Sequence, residues 1–199
     1  MARKPRIIAD ESYHHIIQRG NNRRRVFELV ADYSYFKSLL RKYLKLYQCQ
    51  IFHYCLMPNH VHFLMHIING HDMPKFLQCL NLSYTLYYKR KYKFTGSLWQ
   101  GRYKSFFIDK DEYLLECARY IERNPLRANM VENISEYPYS SYNYYAKGRK
   151  DDIITTNAIY NELAISSQQR QKNYIEYVNQ GRPYEHIVDK ALEMCPQRT

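Results

Sequence analysis

A chain of 199 residues with 45% apolar and 25% charged side chains is long enough for one packed core and too apolar for wholesale disorder. No apolar run approaches the roughly 18 residues of a membrane helix, and residues 1–11 are basic with no apolar stretch behind them, so neither a membrane span nor a secretory signal is expected and the protein reads as cytoplasmic. The net charge of +11 lies wholly in residues 1–100, where 16 basic side chains outnumber 5 acidic ones, while residues 101–199 hold 14 of each; that asymmetry is the footprint of a polyanionic partner.

In chain order, residues 13–19 (YHHIIQR) predict a strand, broken by Gly20, Asn21 and Asn22 and followed by a basic loop. Residues 32–48 predict a helix, with Asp32 as N-cap and Phe36, Leu39, Leu40, Tyr43, Leu44 and Tyr47 recurring at spacings of three and four. Residues 50–57 and 60–68 predict two strands joined by Pro58–Asn59, a pair suited to a tight turn. A second helix over 74–91 ends in Lys89, Arg90, Lys91 and Lys93; a strand follows over 102–108 and a third helix over 110–123. Strand, helix, strand, strand, helix, strand, helix is an α+β order, a ferredoxin-like and mainly antiparallel sheet with flanking helices. Lys147 to Asp152 reads as a linker, which divides the chain into a domain over 1–146 and a helical C-terminal extension over 147–199. Cys49, Cys55, Cys79, Cys117 and Cys195 are odd in number and lack CxxC spacing, so they read as reduced thiols and not as a disulfide frame or zinc site.

His60-Val61-His62 is the first chemical candidate. Residues i and i+2 of a strand share a face, so both imidazoles project together and can hold a divalent cation; the same pair also serves as an inert hydrogen-bonded couple. His66 shares the face but stands about 13 Å from His62, too far for one metal. His14, His15, His53, His71 and His186 read as structural or exposed. In the third helix Tyr120 and Asn124 lie four apart, on one face. Pro125 complicates the pair, because Asn then Pro also starts a new short helix. Three basic clusters are candidate tracks for a nucleic-acid strand: Arg19 with Arg23, Arg24 and Arg25; Lys89, Arg90 and Lys91; Arg102 with Lys104. Asn21 and Asn22 carry amides able to read base edges. Trp99, the only tryptophan among many aromatics, either stacks a base or closes the core; the twenty-two tyrosines likewise divide between core packing and base stacking.

Three ordered blocks, MPNHVHFLM (57–65), GSLWQGRYKS (96–105) and YLLECARYIERNPLRANMV (113–131), resemble the REP-associated tyrosine transposases, single-strand DNA nucleases of the HUH type, named for a histidine–hydrophobic–histidine pair. YHHIIQRGNNRRRVF (13–27) and YPYSSYNYY (137–145) resemble further segments of that family, so the likeness spans about residues 5–145. By position the resemblance implies that His60 and His62 are metal ligands, that Asn124 is a third, amide-type ligand, and that the cofactor is a divalent ion, Mg²⁺ or Mn²⁺. It also implies that Tyr120 is the nucleophile, forming a 5′-phosphotyrosine link to cleaved single-stranded hairpin DNA. Arg119 and Arg123 flank Tyr120 and are expected to stabilise its phenolate or meet DNA, with Glu116 as a possible proton acceptor. Asn129 stands where the family has Gly and Tyr139 where it has Trp; neither change touches the chemistry. A non-catalytic nucleic-acid-binding module on the same fold is the alternative function.

Overall fold

The computed structural model describes residues 7–109 and 111–180. Its elements follow the expected order: β1 (Ser12–Arg19), α1 (Val30–Leu44), β2 (Cys49–Met57), β3 (His60–Ile67), α2 (Asp72–Tyr92), β4 (Lys104–Ile108) and α3 (Asp111–Arg127). The strands form one sheet in the order β2-β3-β1-β4, with every neighbouring pair antiparallel. This is the α+β, ferredoxin-like arrangement read from the sequence.

Alternation along the strands sorts side chains to two faces. Ile16, Val61, Phe63, Met65, Tyr54 and Leu56 turn to one face and pack with Phe36, Leu40, Phe76 and Leu80 of α1 and α2. Cys55, Met57 and Leu64 turn to the other and pack with Cys117, Tyr120 and Ile121 of α3. The outer edge of β2 is covered, through bridges from Cys55 to Ser140 and from Ile51 to Ile154, which leaves no open backbone row there. The four described cysteines are free, and Cys195 lies outside the described residues. Among the described residues no helix is long and apolar enough to cross a membrane.

Helix boundaries shift by one to four residues from the sequence reading, and two of the shifts change the role of a side chain. Helix α1 starts at Val30, so Asp32 is not its N-cap but sits in its first turn, where its carboxylate accepts the Glu28 and Leu29 amides at 2.8 Å each. Helix α3 runs through Pro125 to Arg127. Pro125 has no N–H for the Ile121 carbonyl; the Asn124 side-chain amide donates to that carbonyl at 3.3 Å and to Tyr120 O at 2.8 Å instead. The helix then closes with Asn129 at φ 52°, its N–H on Leu126 O and that of Met130 on Pro125 O, at 3.0 and 2.9 Å. Asn thus fills the left-handed position usually given to Gly.

After α4 (Tyr142–Lys147), residues 148–152 do not hang free. Asp151 accepts from Lys37 at 3.0 Å and Tyr54 at 2.5 Å, and Asp152 from Arg41 at 2.6 Å. Two further helices, α5 (Ala158–Glu162) and α6 (Ser167–Asn179), build a small core with α4 around Tyr145, Tyr160 and Tyr174. The remainder of the expected helical extension, residues 181–199, lies outside the described residues.

Candidate active site

The register of β1 against β3 places Ile17 opposite His62 and Arg19 opposite His60. Side chains on the α3 face of these strands therefore converge at one end of the sheet. His15 Nε2 lies 3.0 Å from His62 Nδ1, and the His60 and His62 rings are 4.8 Å apart. From α3, Tyr120 lays its ring edge-on to both His15 and His62, at centroid distances of 5.6 and 5.8 Å. The Arg127 guanidinium sits 5.3 Å from the Tyr120 ring centre. Tyr120 is only 2% exposed. His66, as expected from its spacing, stays apart, stacked on Tyr13 and bonded to Glu11 and Gln50.

A hydrogen bond to an oxygen fixes the tautomer of His60. The Asn59 side-chain oxygen Oδ1 lies 2.6 Å from His60 Nδ1, so that nitrogen donates and Nε2 keeps its lone pair. His62 Nδ1 is taken by His15, and His62 Nε2 is buried with no partner. Burial pushes His15 and His60 down to about 3, with the Arg19 charge adding to the effect at His60. Burial again leads in driving His62 well below its ordinary value, helped by His60, His15, Arg19 and Arg127. All three are therefore neutral near pH 7, the state in which imidazole ligates a cation. His62 Nε2, buried without a partner, and the lone pair left on His60 Nε2 are neutral nitrogens of the kind that ligate a divalent ion, while the Asn124 amide nitrogen is already spent on the backbone. Among the described residues no three His, Cys, Asp or Glu side chains gather as a metal site, so such an ion would rest on two imidazoles and one amide.

Several expected roles go elsewhere. Arg119 is fully buried, pairs with Glu116 and stacks under Tyr177 at 5.1 Å. Glu116 also accepts the Tyr177 hydroxyl at 2.6 Å, and Arg123 donates to the Val178 and Asn179 carbonyls at 3.0 Å each. These three side chains meet α6, through Tyr177 and the carbonyls of Val178 and Asn179. Lys91 is tied to buried Asp32 at 2.6 Å. Trp99 is 7% exposed, with its indole N–H on Asn81 O at 3.3 Å, so of its two readings the structure supports core closure. The residues that sequence reasoning missed are His15, Asn59 and Arg127. Only the β1–β3 register and the closing turn of α3 reveal them.

The basic loop lies against this end of the sheet. Gly20 N–H bonds Asn59 O at 2.8 Å, and Asn59 Nδ2 donates to Arg23 O at 3.2 Å. A side chain at Gly20 would put its Cβ 2.2 Å from Arg24 O, so only glycine lets the loop close. Arg23 and Arg25 are exposed, with Arg25 facing Glu28 at 3.4 Å, and Arg24 lies 4.4 Å over the Phe94 ring just beyond α2. The loop and the end of α2, with Lys89 and Arg90, thus form one basic surface. On the opposite sheet face from Tyr120, a cleft of about 390 Å³ opens beside Gln18, Trp99, Arg102 and Tyr103. A larger one, about 560 Å³ beside Arg41 and Cys49, lies at the far end of β2, remote from the histidines.

The model of a family described as IS200-like transposase matches residues 9–124, a stretch that includes His60, His62, Tyr120 and Asn124. The chain belongs to this transposase family. A Haemophilus influenzae protein that carries the provisional name REP-associated tyrosine transposase is 26% identical over 130 residues, which is 57% of this chain and 70% of that protein. A solved REP-associated tyrosine transposase bound to a REP hairpin superposes with a TM-score of 0.61 at 17% identity, covering 79% of this chain and 93% of that one. At that identity the superposition establishes the common fold of this transposase with it, and no more.

Proposed function

We propose that this transposase is a metal-dependent single-strand DNA endonuclease and strand-transferase, acting on hairpin DNA through a 5′-phosphotyrosine at Tyr120. One observation carries the reading: the Tyr120 ring rests against His15 and His62 at 5.6 and 5.8 Å, beside a buried His62 Nε2 that has no partner. A buried polar nitrogen left unsatisfied costs about 1–3 kcal/mol, a cost that a ligand at this nitrogen would remove. His60, His62 and Asn124 would hold the ion; mixed nitrogen and oxygen donors suit Mn²⁺ better than Mg²⁺ by ligand type. When bound, the ion supplies positive charge to the phosphate oxygens.

The remaining steps belong to the chain. The Tyr120 oxygen attacks phosphorus, the bond to the 3′ oxygen breaks, and the phosphotyrosine conserves the bond energy for rejoining. Arg127 over the ring and Arg19, whose charge interacts with Tyr120, favour the ionised phenol. Arg23, Arg24, Arg25, Lys89 and Arg90 would grip the stem through phosphates, with Asn21 and Asn22 reading the unpaired flank. Arg102 and Lys104 extend this basic path, and the cleft at Trp99 would take an unstacked base. The nuclease would occupy residues 1–146, with 147–199 as its helical extension.

Tyr120→Phe tests this reading, because it keeps the ring and removes the attacking oxygen. Hairpin binding should persist, while cleavage and the protein–DNA adduct on a denaturing gel should vanish. An adduct at wild-type level in the variant would remove Tyr120 from the mechanism. A wild-type protein that forms no adduct with Mn²⁺ or Mg²⁺ on any hairpin would favour the non-catalytic binding module.

A further inference from the structure

Two residues beyond Tyr120, on the far side of α3, Glu122 is fully buried. Its carboxylate collects donors from three separate elements. His53 Nδ1 of β2 lies 3.0 Å from Oε1, the Ser141 hydroxyl reaches the same oxygen at 2.6 Å, and the Tyr174 hydroxyl of α6 reaches Oε2 at 2.7 Å. His53, Ser141 and Tyr174 are each fully buried as well. His53 stands opposite Leu64, on the α3 face that Cys55 and Met57 also take by strand alternation, and a bulge just before it, at Ile51/His53, ends that register.

The transposase reaction described above makes no use of this group, and burying it is costly unless every lone pair is served. The arrangement fixes α3 in rotation and in height. One side chain of the helix is locked between the sheet and α6, while Tyr177 on Glu116 and Arg123 on the last carbonyls of α6 hold the turns on either side. Tyr120 leaves the same helix toward the histidines. A reacting oxygen displaced by about 1 Å can lose on the order of 10²-fold in rate, so a helix that bears a nucleophile needs such a lock.

We infer that Glu122 is a positioning residue for the cleavage reaction, and that Tyr174 makes the C-terminal helix part of that device. The inference rests on the nuclease reading of the site. Its substrate is the same hairpin DNA, and neither residue touches it.

The test is single-turnover cleavage of a labelled hairpin oligonucleotide with saturating Mn²⁺, comparing wild type, Glu122→Gln, Tyr174→Phe and a control, Tyr160→Phe. The control removes another buried hydroxyl of the same extension, one that bonds Tyr145 O at 2.7 Å and does not touch Glu122. Adduct formation should slow about 10-fold in Tyr174→Phe and about 100-fold in Glu122→Gln, with the hairpin Kd and the final adduct amplitude unchanged. Tyr160→Phe should keep the wild-type rate constant. A purely structural role would lower the melting temperature and the amplitude while leaving the rate constant of the folded fraction alone, and that result would overturn the inference. So would a faster rate, which would make the lock a restraint. If Glu122→Gln does not fold, Tyr174→Phe decides alone. Absence of a wild-type adduct sinks the nuclease reading and the positioning role with it, whereas a wild-type adduct with unaltered rate constants in both variants sinks only the role.

Discussion

Asp32 and His62 are both buried polar side chains, placed on opposite faces of the same sheet, and the fold treats them differently. Asp32 receives five donors: the Glu28 and Leu29 amides, the Tyr87 and Tyr92 hydroxyls and the Lys91 ammonium, all within 2.6–2.9 Å. It pins the start of α1 to the end of α2, and none of its hydrogen-bonding capacity is wasted. His62 has one imidazole neighbour and an orphaned Nε2. At Asp32 buried polarity is spent on stability. At His62 it is held neutral and open, an arrangement that costs stability and that a bound ligand would offset.

The largest expected effect breaks the open side. His62→Gln removes the orphaned nitrogen but leaves a group able to bond His15; cleavage should fall at least about 10³-fold, near 4 kcal/mol of activation free energy, while urea unfolding changes by less than about 1 kcal/mol. If the variant is instead unfolded, His62 is a structural residue. Asp32→Ala is the mirror image. It strands Lys91 and two tyrosine hydroxyls and should cost about 3–5 kcal/mol, with the cleavage rate of the folded fraction unchanged. A loss of under 1 kcal/mol would mean that the five contacts are ornamental.

Acid separates the two faces next. The imidazoles are depressed, so the unfolded chain binds protons that the folded one refuses. Their stability contribution is intact above the ordinary value of 6.5 and is lost as pH falls toward about 3; buried His15 alone should add a slope of about 1.4 kcal/mol per pH unit. At Asp32 burial acts to raise the carboxyl, but Lys91 and the other donors overcome it and hold it at about 2 against an ordinary 3.8. Its contribution, on the order of 2 kcal/mol, is present above pH 3.8 and lost only as pH falls through about 2. Urea midpoints measured in EDTA should therefore drop between pH 7 and 5 in wild type and less so in His15→Gln. Asp32→Asn should change the profile only below about pH 4. A flat wild-type profile from pH 7 to 5 would refute the neutral-imidazole picture.

Smaller effects belong to the loop beside the site. Gly20→Ala drives a Cβ into Arg24 O and Val26, and should cost about 1–3 kcal/mol and weaken hairpin binding together. Replacing Arg23, Arg24 and Arg25 should leave folding unaltered and reduce the slope of log K against log salt by about two to three units. An unaltered slope would place the DNA on another surface.

Local pattern and spacing already determined a good deal of this protein. Alternation in HVHFLMHI put His60 and His62 on one strand face, the Pro58–Asn59 pair marked the hairpin, and the order of elements named the sheet. That Tyr120 and Asn124 share a helix face was legible because a four-residue spacing is short-range information, while the role of each rested on the family resemblance. What the sequence could not decide depends on contacts between distant segments. His15 looked ordinary until the β1–β3 register set it against His62. Arg119 and Arg123 looked like partners of the phenol until α6 claimed them, and Lys91 looked like a free cation until it met Asp32, 59 residues away in the chain. A helix offers several faces to a flanking charge, and which face meets solvent, sheet or another helix is settled only when the elements pack. The Glu122 lock is the extreme case: four residues from four segments converge on a point that no spacing rule marks. Each one alone has an ordinary place in the sequence, and burial in common gives the group its meaning.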